Sequence, residues 1–147
     1  MLAATATCSE DWRTSYPARS NQVIGISSSN GMGLRSRFNS FPPESGDSFM
    51  ALGENVEIPC LISPKSGTSL AAIIAAGLVA LILDFGSQNM GNEYARRKLF
   101  SNDGIRTLLR SKTQMSYEDY FLIPWKLLDP NQSAEHVWSS MMYALQY

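Results

Sequence analysis

A chain of 147 residues has the length of a single domain at roughly 150 residues per domain, and 44% apolar residues place it among globular rather than disordered chains. Twelve Lys and Arg against thirteen Asp and Glu leave a formal charge of -1, so no basic field exists to hold a phosphate backbone and nucleic acid is not an expected partner. The longest apolar stretch, Leu70 to Leu83, is fourteen residues, short of the about 20 that a membrane span needs, so no membrane partner is expected either.

The chain opens with MLAATATCSEDWR, which has neither the positive flank nor the apolar length of a secretory signal and points to a cytoplasmic location. Cys8 and Cys60 are too few for a disulfide framework and lack metal-ligand spacing or companion histidines. Both are expected to be free thiols, and neither a metal nor an organic cofactor is implied.

Residues 16 to 62 read as strands and turns. Gln22 to Ile26 is a short β-type run, Asn30-Gly31 a turn signal, and Phe41 to Gly46 a loop. Further strands are expected at Phe49 to Leu52 and at Val56 to Ile62, with Pro59 demoting the second to an edge or a bulge.

After Lys65-Ser66-Gly67, the residues Leu70, Ile73, Ile74, Gly77, Leu78, Leu81 and Ile82 recur at the spacing of one helical face, and the other face is mostly alanine. A helix apolar on every side is expected to be enclosed by protein. Thr68 or Ser69 would cap its start, and Gly86 in Asp84-Phe85-Gly86 would end it as a left-handed C-cap. Asn92 to Phe100 and Asp103 to Arg110 are short amphipathic helix candidates, and Tyr117 to Lys126 is a mixed aromatic segment bounded by Pro124. Ser133 to Tyr147 returns to helical spacing through Val137, Trp138, Met141, Met142 and Leu145, a stripe that either packs on the body or serves as a docking face.

Gly67-Thr68-Ser69 delivers a serine to the start of a long apolar helix. A helix N-terminus carries about half a positive charge and unbonded N–H groups, so an oxyanion forming beside Ser69 would be stabilised there, an arrangement suited to acyl transfer. The plainer reading of the same three residues is a polar cap on a core helix.

The run Ser66-Gly-Thr-Ser-Leu-Ala-Ala-Ile-Ile-Ala-Ala-Gly-Leu-Val-Ala-Leu-Ile-Leu83 resembles the nucleophile segment of the subtilisin-like serine proteases, G-T-S-x-A-x-x-x-A-A-G. Colinear pieces extend the resemblance. Tyr16-Pro-Ala18 with Val23-Ile-Gly25 is similar to that family's approach to a late strand, Ser36-Arg-Phe-Asn39 resembles its S-x-F-S/N stretch, and Ala51-Leu-Gly-Glu54 stands where it has A-P-G. Gly104-Ile-Arg-Thr107 and Ile123-Pro-Trp-Lys126 are reminiscent of tails on one branch of the family.

The resemblance implies an α/β, partial subtilisin-like fold: a mostly parallel sheet, a long buried central helix after the nucleophile, and a helical C-terminal tail. Residues 1–90 would be the C-terminal part of the peptidase domain and 91–147 a helical extension packed on it. It also implies a serine endopeptidase with Ser69 as nucleophile and a polypeptide as substrate. Thr7 stands where the family carries an asparagine donor to the oxyanion, and threonine offers one shorter hydroxyl in its place. The family's aspartate and histidine lie in D-[ST]-G and H-G-T motifs upstream of the serine, but no histidine precedes Ser69 here. Asp11 and Asp47 stand in neither context, and His136, the only histidine, sits late in a helical stripe. The chain by itself is therefore expected to be inactive, with the missing N-terminal half of its domain as a further partner. The alternative is a non-catalytic interaction module that keeps the protease-derived scaffold.

Overall fold

A computed structural model describes residues 1–5, 14–41, 47–59, 61–89, 93–111, 113–116, 119–127, 129 and 131–146. Its centre is a sheet of β1 (Leu2–Ala4), β2 (Ile24–Ser29), β3 (Phe49–Leu52), β4 (Gln114–Ser116) and β5 (Asp119–Phe121), in the spatial order β1-β2-β3-β5-β4. The neighbours β1/β2, β2/β3 and β3/β5 run parallel, and only β4 runs antiparallel to its partner β5. The helices are α1 (Thr68–Asn89), α2 (Glu93–Leu99), α3 (Asn102–Ser111), α4 (Pro124–Leu127) and α5 (Ala134–Gln146). This is the mostly parallel α/β arrangement that the sequence leads one to expect.

Register divides the sheet into an apolar and a polar face. Pairing of Leu2 with Ile24, Ala4 with Ile26, and Ile26 with Phe49 puts Leu2, Ile24, Ile26, Phe49 and Ala51 on one side, where they join the inner stripe of α1 in a single core. The other side carries Thr5, Gly25, Ser27 and Ser48, and there the hydroxyls of Thr5 and Ser27 lie 2.8 Å apart in a buried hydrogen bond. Strand β3 matches its expected span, and β2 runs three residues further than expected, through Ser28 and Ser29. The strand expected over Val56 to Ile62 is not formed by its described residues: only Val56 among them makes a bridge, to Lys65, and the Leu61 N–H returns to the Ile58 carbonyl at 3.1 Å. Pro59, with no N–H to give a ladder, suits such a turn better than a strand.

Helix α1 differs from expectation in two ways. It does not stop at Gly86 but runs to Asn89, for 22 residues. Gly86 is buried inside it, and beyond it the Ser87 hydroxyl donates to the Asp84 carbonyl at 2.8 Å and the Gln88 amide to the Asp84 carboxylate at 2.9 Å. The residues Thr68–Gln88 are thereby long and apolar enough to cross a membrane, with mean hydropathy 2.2, so a length argument does not exclude a span. Second, the helix is not enclosed on every side. Ala71, Ala75, Leu78, Val79 and Ile82 are buried against the sheet, but Ile73 is 67% and Leu81 56% exposed, and Ala76, Gly77 and Ala80 between them face outward. The sheet covers one face of the rod, and no described residue comes within 4 Å of where a Gly77 side chain would begin.

The segment beyond residue 90 is not helical throughout. It supplies β4 and β5, with β5 docking beside β3 through Tyr120 N–H to Ser48 O and Leu122 N–H to Met50 O, both 2.8 Å. The Tyr120 ring lies 5.5 Å from that of Phe49, and the buried Asp119 accepts from the Arg35 guanidinium at 2.8 Å. The helices α2, α3 and α5 pack on one another and bring Leu99, Ile105, Leu108, Leu109, Val137, Met141 and Leu145 into the same core as the sheet. Within the α5 stripe Met141 is only 2% exposed. Val137, Met141 and Leu145 of that stripe pack on the body, while Trp138 and Met142 are half-buried.

Gly77→Ala is expected to stabilise the chain by about 1 kcal/mol, because an interior helical glycine gains backbone order and the new methyl meets open space. Urea unfolding of the two proteins checks this. A loss of stability would mean that the outer face of α1 is covered in solution.

Candidate active site

The site is built where the chain leaves β3 and enters α1. Gly53, just beyond β3, donates its N–H to the Ser29 carbonyl at 3.0 Å and accepts from Gly67 N–H at 2.8 Å. Between these two glycines the chain makes an excursion closed by Val56 and Lys65, which exchange backbone hydrogen bonds of 2.8 and 2.9 Å. Asn55 takes the left-handed conformation (φ 55°) at the base of this excursion, and its N–H donates to the Ser66 hydroxyl at 2.9 Å.

Gly53 has no room for a side chain. A Cβ there would stand 2.6 Å from Ser28 Oγ, 2.8 Å from the Gly67 carbonyl oxygen and 2.9 Å from Ala71 Cβ. Two of these neighbours are set by backbone: a carbonyl, and the methyl of a helix held against the sheet. The absence of a side chain is what lets the first turn of α1 sit directly on the end of β3.

Gly67 occupies the N-cap position, its carbonyl accepting from Leu70 N–H at 3.1 Å and Ala71 N–H at 3.4 Å. Neither Thr68 nor Ser69 caps the helix, contrary to the plainer sequence reading, because both already lie within its first turn. Glycine at the cap brings no side-chain acceptor. Thus the amides of Thr68 and Ser69 have no acceptor among the described residues, and they point out of the positive end of a 22-residue helix. Ser69 itself is exposed, and no described residue hydrogen-bonds its hydroxyl. A free hydroxyl beside two unsatisfied N–H groups is a geometry in which an attacking oxygen and a developing oxyanion can be held together.

A polar network underlies this turn, and sequence reading gave it no role. Ser36 Oγ donates to Glu54 Oε2 at 2.8 Å, leaving Ser28 Oγ to donate to Ser36 Oγ at 2.9 Å. Asn39 clamps the Ser28 backbone from both sides, accepting its N–H at 2.9 Å and donating to its carbonyl at 2.6 Å. The chain Ser28–Ser36–Glu54 fixes the residues on either side of Gly53. The signal was present in Ser36-Arg-Phe-Asn39, but only the fold shows that these side chains reach back to β2.

The remaining candidates lie elsewhere. His136 is exposed in the first turn of α5, where its N–H donates to Ser133 Oγ at 3.3 Å, and α5 packs on α2 and α3. Asp47, with a side chain only 10% exposed, bridges Arg106 and Arg110 of α3. That contact holds the Arg110 guanidinium above its ordinary pKa, chiefly through the hydrogen bond it donates to Asp47. Thr7, Cys8, Asp11 and Cys60 fall outside the described residues. Among the described residues no cluster of three or more His, Cys, Asp or Glu could hold a metal ion.

No family model matches the chain, and no curated protein matches it. Solved structures do. A serine-to-alanine mutant of the protease domain of PatA superposes with a TM-score of 0.63 at 18% identity, over 99% of this chain and 48% of that one. The self-cleaved protease domain of PatA superposes with a TM-score of 0.59 at 19% identity, over 95% of this chain and 49% of that one. The chain has a partial subtilisin-like protease fold. At this identity the likeness is one of fold, and the chain spans about half the length of the solved domains that it matches. Within the subtilisin-like frame, the Gly53–Gly67 contact is what places Ser69 at the carboxyl end of the parallel strands, where open α/β sheets hold their ligands.

Gly53→Ala is expected to cost about 1–3 kcal/mol, the usual penalty for overpacking, because Gly67 O and Ala71 must both move. Gly31→Ala, with nothing within 4 Å, is expected to be near neutral. Paired urea denaturation curves compare the two, and equal midpoints would contradict the close-contact account.

Proposed function

We propose that Ser69 is the nucleophile of a subtilisin-like serine endopeptidase and that its general base and orienting carboxylate come from polypeptide outside these 147 residues. One observation carries the reading: the Ser69 hydroxyl is exposed and unbonded in the first turn of α1, beside amides with no acceptor among the described residues. In the reaction, a histidine from the partner polypeptide removes the Ser69 proton as Oγ bonds to the carbonyl carbon of the scissile peptide. The carbonyl oxygen becomes an oxyanion held by N–H groups at the start of α1. The histidine then gives its proton to the leaving amine as the C–N bond breaks, and water resolves the acyl-enzyme by the same steps.

Thr7 is proposed as a weaker side-chain donor to the oxyanion, since one missing donor of this kind costs roughly 10² to 10³ in rate in subtilisin. The substrate is a polypeptide and the setting cytoplasmic in this reading. Two surfaces suit the completing half of the domain: the outer face of α1 with Ile73, Gly77 and Leu81, and the outer edge of β1, which is unpaired among the described residues and can accept another parallel strand.

Without the base the chemistry nearly stops. In subtilisin, loss of the histidine alone lowers kcat by about 2 × 10⁶. The isolated chain is accordingly expected to resist labelling by a fluorophosphonate probe, and added imidazole, standing in for the missing ring, is expected to restore slow labelling that disappears in Ser69→Ala. Mass spectrometry of the labelled peptide checks the position. Labelling that is unaffected by Ser69→Ala, or no labelling at any imidazole concentration, would overturn the assignment of Ser69.

A further inference from the structure

A cavity of about 140 Å³ opens on the face of the sheet opposite α1, between the starts of β2 and β3, the 14–21 segment and α3. It plays no part in the acyl-transfer chemistry, because Ser69 lies at the other end of the strands. Three arginines, Arg19, Arg106 and Arg110, line it together with a single acidic residue, Asp47, and with Thr14 and Ser48. A local excess of positive charge in a chain of net charge -1 requires a physical account.

Hydrogen bonding separates the three arginines. Arg106 is committed to the fold: its Nη2 donates to the carbonyls of Val23 at 2.8 Å and Asn21 at 3.2 Å, its Nε to Asn102 Oδ1 at 3.3 Å, and its Nη1 lies 3.5 Å from Asp47. Arg110 uses one nitrogen, Nη2, on the same Asp47 oxygen and leaves Nη1 and Nε without a partner among the described residues. Arg19 is exposed at the rim; its backbone N–H donates to the Ser15 carbonyl at 3.2 Å, and its guanidinium makes no hydrogen bond to any described residue. Asp47 therefore answers the two helix arginines, and Arg19 and Arg110, both lining the cavity, keep guanidinium donors with no partner among the described residues.

We propose that this cavity binds a tetrahedral oxyanion of the phosphate class, held between Arg19 and the free edge of Arg110. Planar guanidinium donors pair with two oxygens at once, which suits phosphate better than a spherical halide. Bound there, the anion ties the 14–21 segment to α3 and stabilises the fold by linkage. Asp47, facing the same space, sets an electrostatic limit on affinity. This assignment stands apart from the protease reading, and neither depends on the other.

Titration calorimetry of inorganic phosphate into the full chain, at fixed ionic strength with chloride as the balancing salt, tests it. Saturable one-to-one binding is expected, weakened roughly tenfold in Arg19→Ala by loss of one charge-assisted pair and unchanged in Arg96→Ala, an exposed control. Asp47→Asn is expected to bind more tightly. If that variant does not fold, as judged by circular dichroism, Arg19→Ala decides, since its side chain supports no packing. Sulfate should compete and acetate should not. Phenyl phosphate binding as well as inorganic phosphate would identify a phosphorylated group as the ligand, and inorganic phosphate alone the free ion; both support the site. The proposal is overturned by an absence of saturable binding, or by equal affinity in the parent chain and Arg19→Ala.

Discussion

The contact on which the rest of this structure depends is that between Gly53 and Gly67. A backbone hydrogen bond of 2.8 Å joins two residues that carry no side chains, and that bareness is what makes the approach possible. With any larger residue at position 53, the helix would have to begin farther from the sheet, because a carbonyl, a serine hydroxyl and the Ala71 methyl already fill the space. The geometry around Ser69 is indexed to that seam. It decides which amides of α1 are left without acceptors, and it stations Ser69 above the end of the parallel strands.

The same helix carries the structure's main imbalance. Its inner stripe of alanines and branched side chains is matched to Ile24, Ile26, Phe49 and Ala51, and burial of that stripe supplies much of the core. Its outer stripe is nearly as apolar and lies open. Water penalises such a surface, and a rod with two apolar faces is the geometry of a layer placed between two others. An open apolar face, and an edge of β1 unpaired among the described residues, belong to a chain that spans about half of a matched domain, and both suit a sheet and a helix with further layers to receive.

Much of this was legible in the residues. The three-and-four spacing from Leu70 to Leu83 announces α1, and Phe49 to Leu52 gives β3 without adjustment, because local periodicity reports which face of an element is buried. The errors fell where a local signal competed with tertiary contacts. Gly86 looks like a terminator because glycine favours a left-handed turn, yet burial and the Asp84 interactions with Ser87 and Gln88 carry the helix past it. Thr68 and Ser69 look like caps because hydroxyls serve that role, but the hydrogen bond to Gly53 makes Gly67 the boundary residue instead. Strand β5 had no clear periodic signal at three residues and owes its place to pairing with β3 and to the Arg35–Asp119 ion pair.

The resemblance to the subtilisin-like proteases implied the class of fold; by itself the sequence determined the long helix, the serine that opens it and the lack of any histidine before that serine. These are properties of order and composition along the chain, which periodicity and residue chemistry express directly. Only the tertiary structure decided that the serine is free rather than capping, that Ser36 and Glu54 brace the turn beneath it, and that three arginines converge on the opposite face of the sheet. Each of those depends on residues far apart in the chain meeting within a few ångströms. Their separation is set by strand register and by the close approach of Gly53 to Gly67, and no local pattern encodes it.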